Sequence, residues 1–541
     1  MRYLKLLLKL AGAGALSGAF AVPVAALPPG FSDTLVASVS SPTAIAFTPD
    51  GRLLATTQSG ALRVIQNGSL LPTAALTFSA SSICTNSERG LLGVAVSPNF
   101  SSNRRIFLFY TFKTPSTTCV NRVSRFTLPD TNVIDPASET VLIDNMPSTA
   151  GNHNAGDLIF GRDGFLYATI GDGGCDYAGG GCAGQNDASR DQNELTGKLL
   201  RITEDGGIPA TNPFQGAGTA RCNVTGGTTA GNKCQETFAW GFRNPFRIAA
   251  DPNDPGTRIF VDDVGQDAWE EIDIAQAGAD YGWNCREGSH TNNTSGPCSP
   301  TPPNMVDPIF QYQHNTTIPG TTSPASCNCI GGGAFVPNGL WQGFDGAYLF
   351  GECTCGGIFR LTQAGSAFTA SDFAIGLGTV VHLTFGPSGT SQALYYTTYA
   401  SGGQVRRISG PAPVATASKY FTVTPCRLAD TRQPAGPTGG PALAGGASRT
   451  FVAAGSCGVP STATSVAINL TVTSTTATGS LTVYPAGTPV PATNTLSFSQ
   501  GQTRANNAVS QLGAAGDLSI FCAMPSGSTT EAIIDVVGYF Q

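Results

Sequence analysis

One pattern recurs six times between residues 30 and 410: an apolar strand, a Pro/Asp/Gly turn, a second apolar strand, then a glycine and another short strand. It reads AIAFTPDGRLLATTQSGALRVI from Ala44, GLLGVAVSPNFSSNRRIFLFYTF from Gly90 and GDLIFGRDGFLYATIGDGG from Gly156. It returns as PFRIAADPNDPGTRIFVDDVG from Pro245, GGGAFVPNGLWQGFDGAYLFGECTCGGIFRL from Gly331 and HLTFGPSGTSQALYYTTYASGGQVRRI from His382. Alternating apolar residues on either side of a turn that wants Gly, Asn or Asp form a hairpin. A four-stranded blade takes roughly 40 to 45 residues, and inserted loops account for the irregular spacing, so six hairpins predict a six-bladed β-propeller over residues 30–410. A β-sandwich or a right-handed β-helix would not return one motif with long loops between its copies.

The chain has 541 residues, more than one hydrophobic core usually organises, so at least two units are expected. Charged residues make up only 12% while Gly reaches 67 and Pro 36, which makes turns abundant and long charged helices scarce. The fold class is therefore all-β: a six-bladed β-propeller followed by a smaller antiparallel β-sandwich domain. Composition shifts after Ile408, where SGPAPVATAS supplies a linker over residues 411–419. From Tyr420 the segments SVAINLTVTST, GSLTVYPAG, NTLSFSQG and EAIIDVVGYF alternate at short intervals, as a sandwich over residues 420–541 requires. PCRLADTR and DVVGYF in that stretch resemble a C-terminal module of secreted bacterial proteins, which implies contact with a cell surface.

The N-terminus reads as an address. Arg2, Lys5 and Lys9 are followed by a short apolar and small-residue stretch and by Val24-Ala25-Ala26, a small-x-small cleavage site, so residues 1–26 are expected to be a signal peptide. A secreted protein with no transmembrane anchor in its mature form follows. Fifteen Cys, several in close pairs within Gly-rich loops, agree with an oxidising compartment. Proximity pairs Cys175 with Cys182, Cys222 with Cys234 and Cys285 with Cys298; Cys84 with Cys119 and Cys457 with Cys522 would complete the set, leaving Cys426 odd. Cys327, Cys329, Cys353 and Cys355 pair among themselves or close a tetrahedral zinc site. A net charge of −6 with no basic run beyond the first residues excludes nucleic acid as a partner.

The chemistry concentrates between Gly151 and Trp283. The runs GNHNAGDLIFGRDGFLYATIGDGG, ELTGKLLRI, NPF, WGFRNPFR and DVGQDAWEEIDIAQAGADYGWN, preceded by SERGLLGVAVSPNF, resemble in order the soluble quinoprotein glucose/sorbosone dehydrogenase family. The resemblance implies a secreted sugar dehydrogenase that passes hydride from an aldose or related sugar to pyrroloquinoline quinone with calcium, and thence to an unidentified electron acceptor. It places the general base at His153, the carboxylate that orients it at Asp172, and a quinone-polarising cation at Arg243, with Asn244 helping to hold the cofactor. A His held by a carboxylate is the base that sugar oxidation needs near neutral pH, and a cation aimed at developing negative charge stabilises quinone reduction. Gly265 and Gln266 fall where backbone carbonyls hold the quinone's calcium; Glu271, with the backbone of Tyr281, falls at a second calcium site.

Glu88 stands at a cofactor-contacting position where the better-known soluble glucose dehydrogenases carry Gln. Those enzymes also place a Lys and two Arg late in the propeller to bind the cofactor's carboxylates. This chain has GECTCGG and TVVHLTFGPSG at the corresponding places. The alternative reading is a non-catalytic carbohydrate- or protein-binding propeller like the Hedgehog-interacting relatives that share the domain. Calcium-dependent sugar-lactone hydrolysis would want several carboxylate and Asn ligands converging from different blades, and no such set stands out.

Overall fold

The computed structural model describes residues 27–411 and 419–541, which divide into two compact units, one to either side of residue 413. The expected signal peptide and most of the linker, residues 412–418, lie outside the described residues. Strands dominate both units, and among the described residues the longest helical turn is the four-residue Phe100–Asn103.

Each of the six hairpins seen in the sequence opens a separate antiparallel sheet of the first unit. Their leading strands are Pro42–Phe47, Leu91–Val96, Leu158–Phe160, Pro245–Ala250, Ile330–Phe335 and Val380–Ser388. Each leading strand touches the one before it and the one after it, and Val380–Ser388 touches Pro42–Phe47, so the six form a closed cycle. The last sheet is completed from the other end of the unit. Strand Ser32–Ser38 pairs antiparallel with Gln404–Ser409, from Ser32 opposite Ser409 to Ser38 opposite Gln404. Asp33 reinforces that seam: it takes the Arg406 guanidinium at 3.0 Å and the Tyr396 hydroxyl at 3.0 Å.

Apolar layers fill the spaces between neighbouring sheets. Leu92, Phe107 and Phe109 of the second sheet, for example, share a cluster with Leu158, Leu166 and Leu200 of the third. Strands such as Leu53–Thr57 and Leu166–Ile170 are buried along their whole length, their successive side chains going to two covered faces, so polar groups are left mostly to loops and sheet ends.

Disulfides tie the loops. Cys84–Cys119, Cys175–Cys182, Cys222–Cys234 and Cys285–Cys298 form as expected. Cys327 joins Cys355 and Cys329 joins Cys353, which consumes all four thiols and removes the zinc alternative.

In the second unit, Tyr420–Asp430, Thr529–Phe540, Ser465–Thr473 and Arg504–Gln511 form one sheet, and Ser448–Val452, Asp517–Ala523, Gly479–Pro485 and Leu496–Phe498 form another. Both contribute to one apolar core that includes Leu470, Val472, Phe451 and Ile520. Here the pairing expectation is corrected: Cys426 bridges to Cys457, and Cys522 is free. The reason is strand phase. Cys522 points into the core opposite Leu481, where burial pushes its thiol up to about 11, while Cys426 and Cys457 have Cα atoms 5.4 Å apart.

Removing the seam's ion pair should therefore loosen the first unit: Asp33→Ala leaves Arg406 and Tyr396 without their acceptor and is expected to cost about 1 to 3 kcal/mol, read as a lower denaturant midpoint for that unit with no change in the second.

Candidate functional site

Three loops at the ends of the third and fourth sheets meet around His153. The first, residues 148–157, leads into Leu158–Phe160. It holds two non-glycine residues in the left-handed region, His153 at φ 53° and Ala155 at φ 50°. Such a backbone costs of order 1 kcal/mol or more per residue and persists only where surrounding bonds hold it. Those bonds are present. The His153 N–H donates to Glu88 Oε2 at 2.8 Å and the Ala155 N–H to Asn244 Oδ1 at 3.1 Å. Asn154 accepts from Ser148 Oγ at 2.6 Å and Asn121 Nδ2 at 3.1 Å. Arg89 binds Ser148 through both its hydroxyl and its carbonyl.

The second loop follows Leu166–Ile170 and carries Asp172. A Cβ at Gly171 would fall 2.2 Å from the His153 carbonyl oxygen, so only glycine lets the two loops approach this closely. As a result His153 Nδ1 lies 2.7 Å from Asp172 Oδ1. Burial opposes ionisation of Asp172, but His153, the charge of Arg243 and the Gly174 N–H outweigh it and hold its carboxyl below the usual carboxylate range.

The third group comes from the turn into Pro245–Ala250. Asp263 caps this turn by accepting from the Arg243 N–H at 2.8 Å and the Asn244 N–H at 2.6 Å. The Arg243 guanidinium then reaches the far side of His153, with Nη2 2.9 Å from His153 Nε2. Its remaining donors go to Val264 O at 2.6 Å and to Gln266 Oε1 at 2.7 and 3.1 Å. The last two acceptors are uncharged, and among the described residues no carboxylate lies within ion-pair distance of Arg243.

The Gly265–Gln266 loop is organised from below by Glu287. One carboxylate oxygen, Oε1, accepts four successive backbone N–H groups, Gln266 to Trp269, at 2.7 to 3.0 Å. A Cβ at Gly265 would sit 1.7 Å from the Trp269 carbonyl oxygen, so the turn admits no side chain there.

The structure thus brings together Glu88, His153, Asp172, Arg243, Asn244 and Gln266, with Gly265 adjoining. Glu271 and Tyr281 belong to a different group. Sheet register sets Asp263 opposite Glu271 and puts Asp273 two residues along the same face. Glu271 Oε2 and both Asp273 oxygens are buried without a partner. Burial, with repulsion from Asp263 and other neighbouring acids, raises Glu271 and Asp273 well above the ordinary range, and burial with the charge of Asp172 raises Asp263 to about 7. Tyr281 is buried beside them, stacked on Phe242 and donating its hydroxyl to Ile274 O at 2.5 Å.

Sequence reasoning passed over Asp263, Asp273, Trp283 and Glu287. Asp263, Asp273 and Trp283 lie inside motifs that were legible, in DDVGQ, EEIDI and YGWN, and their function depends on contacts with distant loops. At the place of the absent late Lys stands Glu352, whose carboxylate accepts N–H groups of Cys329, Thr354 and Cys355 and is pushed by burial up to about 7. In the second departing stretch His382 Nε2 lies 3.6 Å from Asp157 Oδ1.

Comparison with known proteins assigns the chain. The family model described as "Glucose / Sorbosone dehydrogenase" matches residues 39–405. An aldose sugar dehydrogenase of Escherichia coli is 29% identical over 252 residues, covering 46% of this chain and 61% of that protein. The chain spans between 23% and 64% of the length of the curated relatives with which it aligns. Two solved structures share the fold. The soluble aldose sugar dehydrogenase of Escherichia coli in its apo form has a TM-score of 0.57 at 23% identity, over 70% of this chain and 99% of that one. The aldose sugar dehydrogenase of Streptomyces coelicolor in its form bound to pyrroloquinoline quinone has a TM-score of 0.51 at 21% identity, over 71% and 99%. By the match across residues 39–405, this chain belongs to the glucose/sorbosone dehydrogenase family.

Proposed function

We propose that the protein is an exported quinoprotein sugar dehydrogenase whose six sheets are the blades of a six-bladed propeller and whose second unit is a β-sandwich. The observation that carries the reading is the Asp172–His153–Arg243 line, with 2.7 Å on one side of the imidazole and 2.9 Å on the other. It joins a base, its orienter and a cation at one point, as removal of a proton and a hydride from one CH–OH group requires.

The donor set fits pyrroloquinoline quinone at its quinone end. Arg243, Asn244 and Gln266 would hold it, and the carbonyls of Gly265 and Gln266 would hold the calcium that accompanies it. When bound, the quinone supplies the hydride acceptor. His153 takes the hydroxyl proton of the sugar at Nε2. Asp172 holds the imidazole by Nδ1 and balances its charge once protonated. Arg243 keeps positive charge beside the reacting centre, and Glu88 and Asn244 keep the His153 loop in its costly conformation. The buried acids Glu271 and Asp273, with the Tyr281 backbone alongside, fit a second divalent cation, since three of their oxygens have no partner within the chain.

Purified mature protein should oxidise one or more of a panel of aldoses in a dye-linked assay after addition of pyrroloquinoline quinone and calcium, and not before. His153→Ala should lose at least about a hundredfold in kcat. Neither activity nor cofactor uptake by the wild-type protein would transfer the fold to a binding role.

The second cation site has its own signature. A carboxyl raised in the folded state holds a proton that the unfolded chain releases, so without a cation stability falls as pH rises from roughly 4 through 7 and beyond. Melting in a chelator should therefore come several degrees lower at pH 8 than at pH 5.5, and calcium should close the gap. Equal melting with chelator and with calcium at pH 8 would rule the site out.

A further inference from the structure

Asp172 is buried and its carboxylate is fully engaged. Oδ1 faces His153 Nδ1 at 2.7 Å and the Gly174 N–H at 2.8 Å, and Oδ2 faces the indole Nε1 of Trp283 at 2.7 Å. A peptide N–H and an indole N–H can only donate. Asp172 therefore accepts at both oxygens, and the hydrogen it shares with His153 resides on Nδ1. On the other side of the ring the Arg243 guanidinium can also only donate, so His153 Nε2 must present its lone pair.

Trp283 is itself held on several sides. It is 2% exposed, and its carbonyl accepts from Ser189 Oγ at 2.7 Å and from Arg190 Nη1 at 3.4 Å. Arg190 is in turn fixed by two bonds of 2.6 Å to Asp280. The Arg243 guanidinium carbon stands 5.6 Å from the centre of the Trp283 ring. One side chain thus reaches the carboxylate on one side of His153 and the cation on the other.

We infer that Trp283 is a positioning residue that holds the Asp172 carboxylate oriented towards Nδ1 and thereby supports the tautomer of His153 with Nε2 unprotonated. As a statement about catalysis this rests on His153 being the base; as a statement about the tautomer it does not. Without the indole donor, Oδ2 is a buried acceptor with no partner, and protonation of Asp172 becomes easier. A protonated Asp172 would donate to Nδ1 and leave the hydrogen on Nε2, where the base must be empty.

Two measurements test this. Long-range proton–nitrogen NMR of the apo protein labelled at its four His should show His153 with the hydrogen on Nδ1, identified by its loss in His153→Ala. Trp283→Phe, with the fold checked by circular dichroism, should shift that signal towards the other tautomer. In the reconstituted enzyme the same variant should lose about ten- to a hundredfold in kcat with the sugar KM within about threefold, and the acid limb of kcat/KM should move up by about one pH unit. A wild-type His153 carrying its hydrogen on Nε2 would overturn the inference whether or not the variant folds, and so would a folded variant with an unshifted signal and limb. Activity surviving in His153→Ala would instead remove the assignment of the base, leaving the tautomer to be decided by NMR alone.

Discussion

The pairing of Ser32–Ser38 with Gln404–Ser409 is the constraint on which the first unit depends. Six sheets that each pack on two neighbours can bury both faces only if the cycle closes, and an open cycle would leave an apolar face and an unpaired strand edge in water. Closure joins the two ends of the unit, more than 360 residues apart in the sequence, and Asp33 secures the join with Arg406 and Tyr396. It also fixes the loops at the sheet ends relative to one another. The loops around residues 153, 172 and 243 could otherwise not hold distances of 2.7 and 2.9 Å across a single imidazole.

The third and fourth sheets show how differently two groups of buried acids can be treated in one molecule. Asp172 is supplied with a donor at every useful direction and stays charged. Glu271 and Asp273, on the strand Trp269–Ile274, have no donors for three of their oxygens. Burial raises a carboxyl unless hydrogen bonds or a cation offset it, so the first arrangement is complete within the chain and the second is complete only with a proton or a metal. Asp263 belongs to both: it caps the Arg243–Asn244 turn through two backbone N–H groups and faces Glu271 across the sheet. The turn that carries the cation is therefore coupled to the acids behind it.

Much of this was legible in the amino-acid order. Hairpins are local, set by alternation and by turn residues within some twenty positions, and all six were found where AIAFTPDGRLL, GLLGVAVSPNF and their counterparts place them. Four disulfides with partners 7 to 35 residues apart were equally plain. The failure at Cys457 is instructive. Pairing it with Cys522 used composition and elimination, but a strand sends alternate side chains to opposite faces, and that phase turned Cys522 into the core.

The sequence by itself determined the strand-forming segments, the division into two units, and the motifs that carry His153, Asp172, Arg243, Asn244, Gly265 and Gln266. Only the tertiary structure decided that Trp283, 111 positions from Asp172, donates to it, that Glu287 gathers the Gly265–Trp269 turn, and that Asp273 joins Glu271. The physical reason is range. Turn and strand preferences act between neighbours along the chain, whereas a hydrogen bond between distant loops exists only after the cycle of sheets has closed and set their positions.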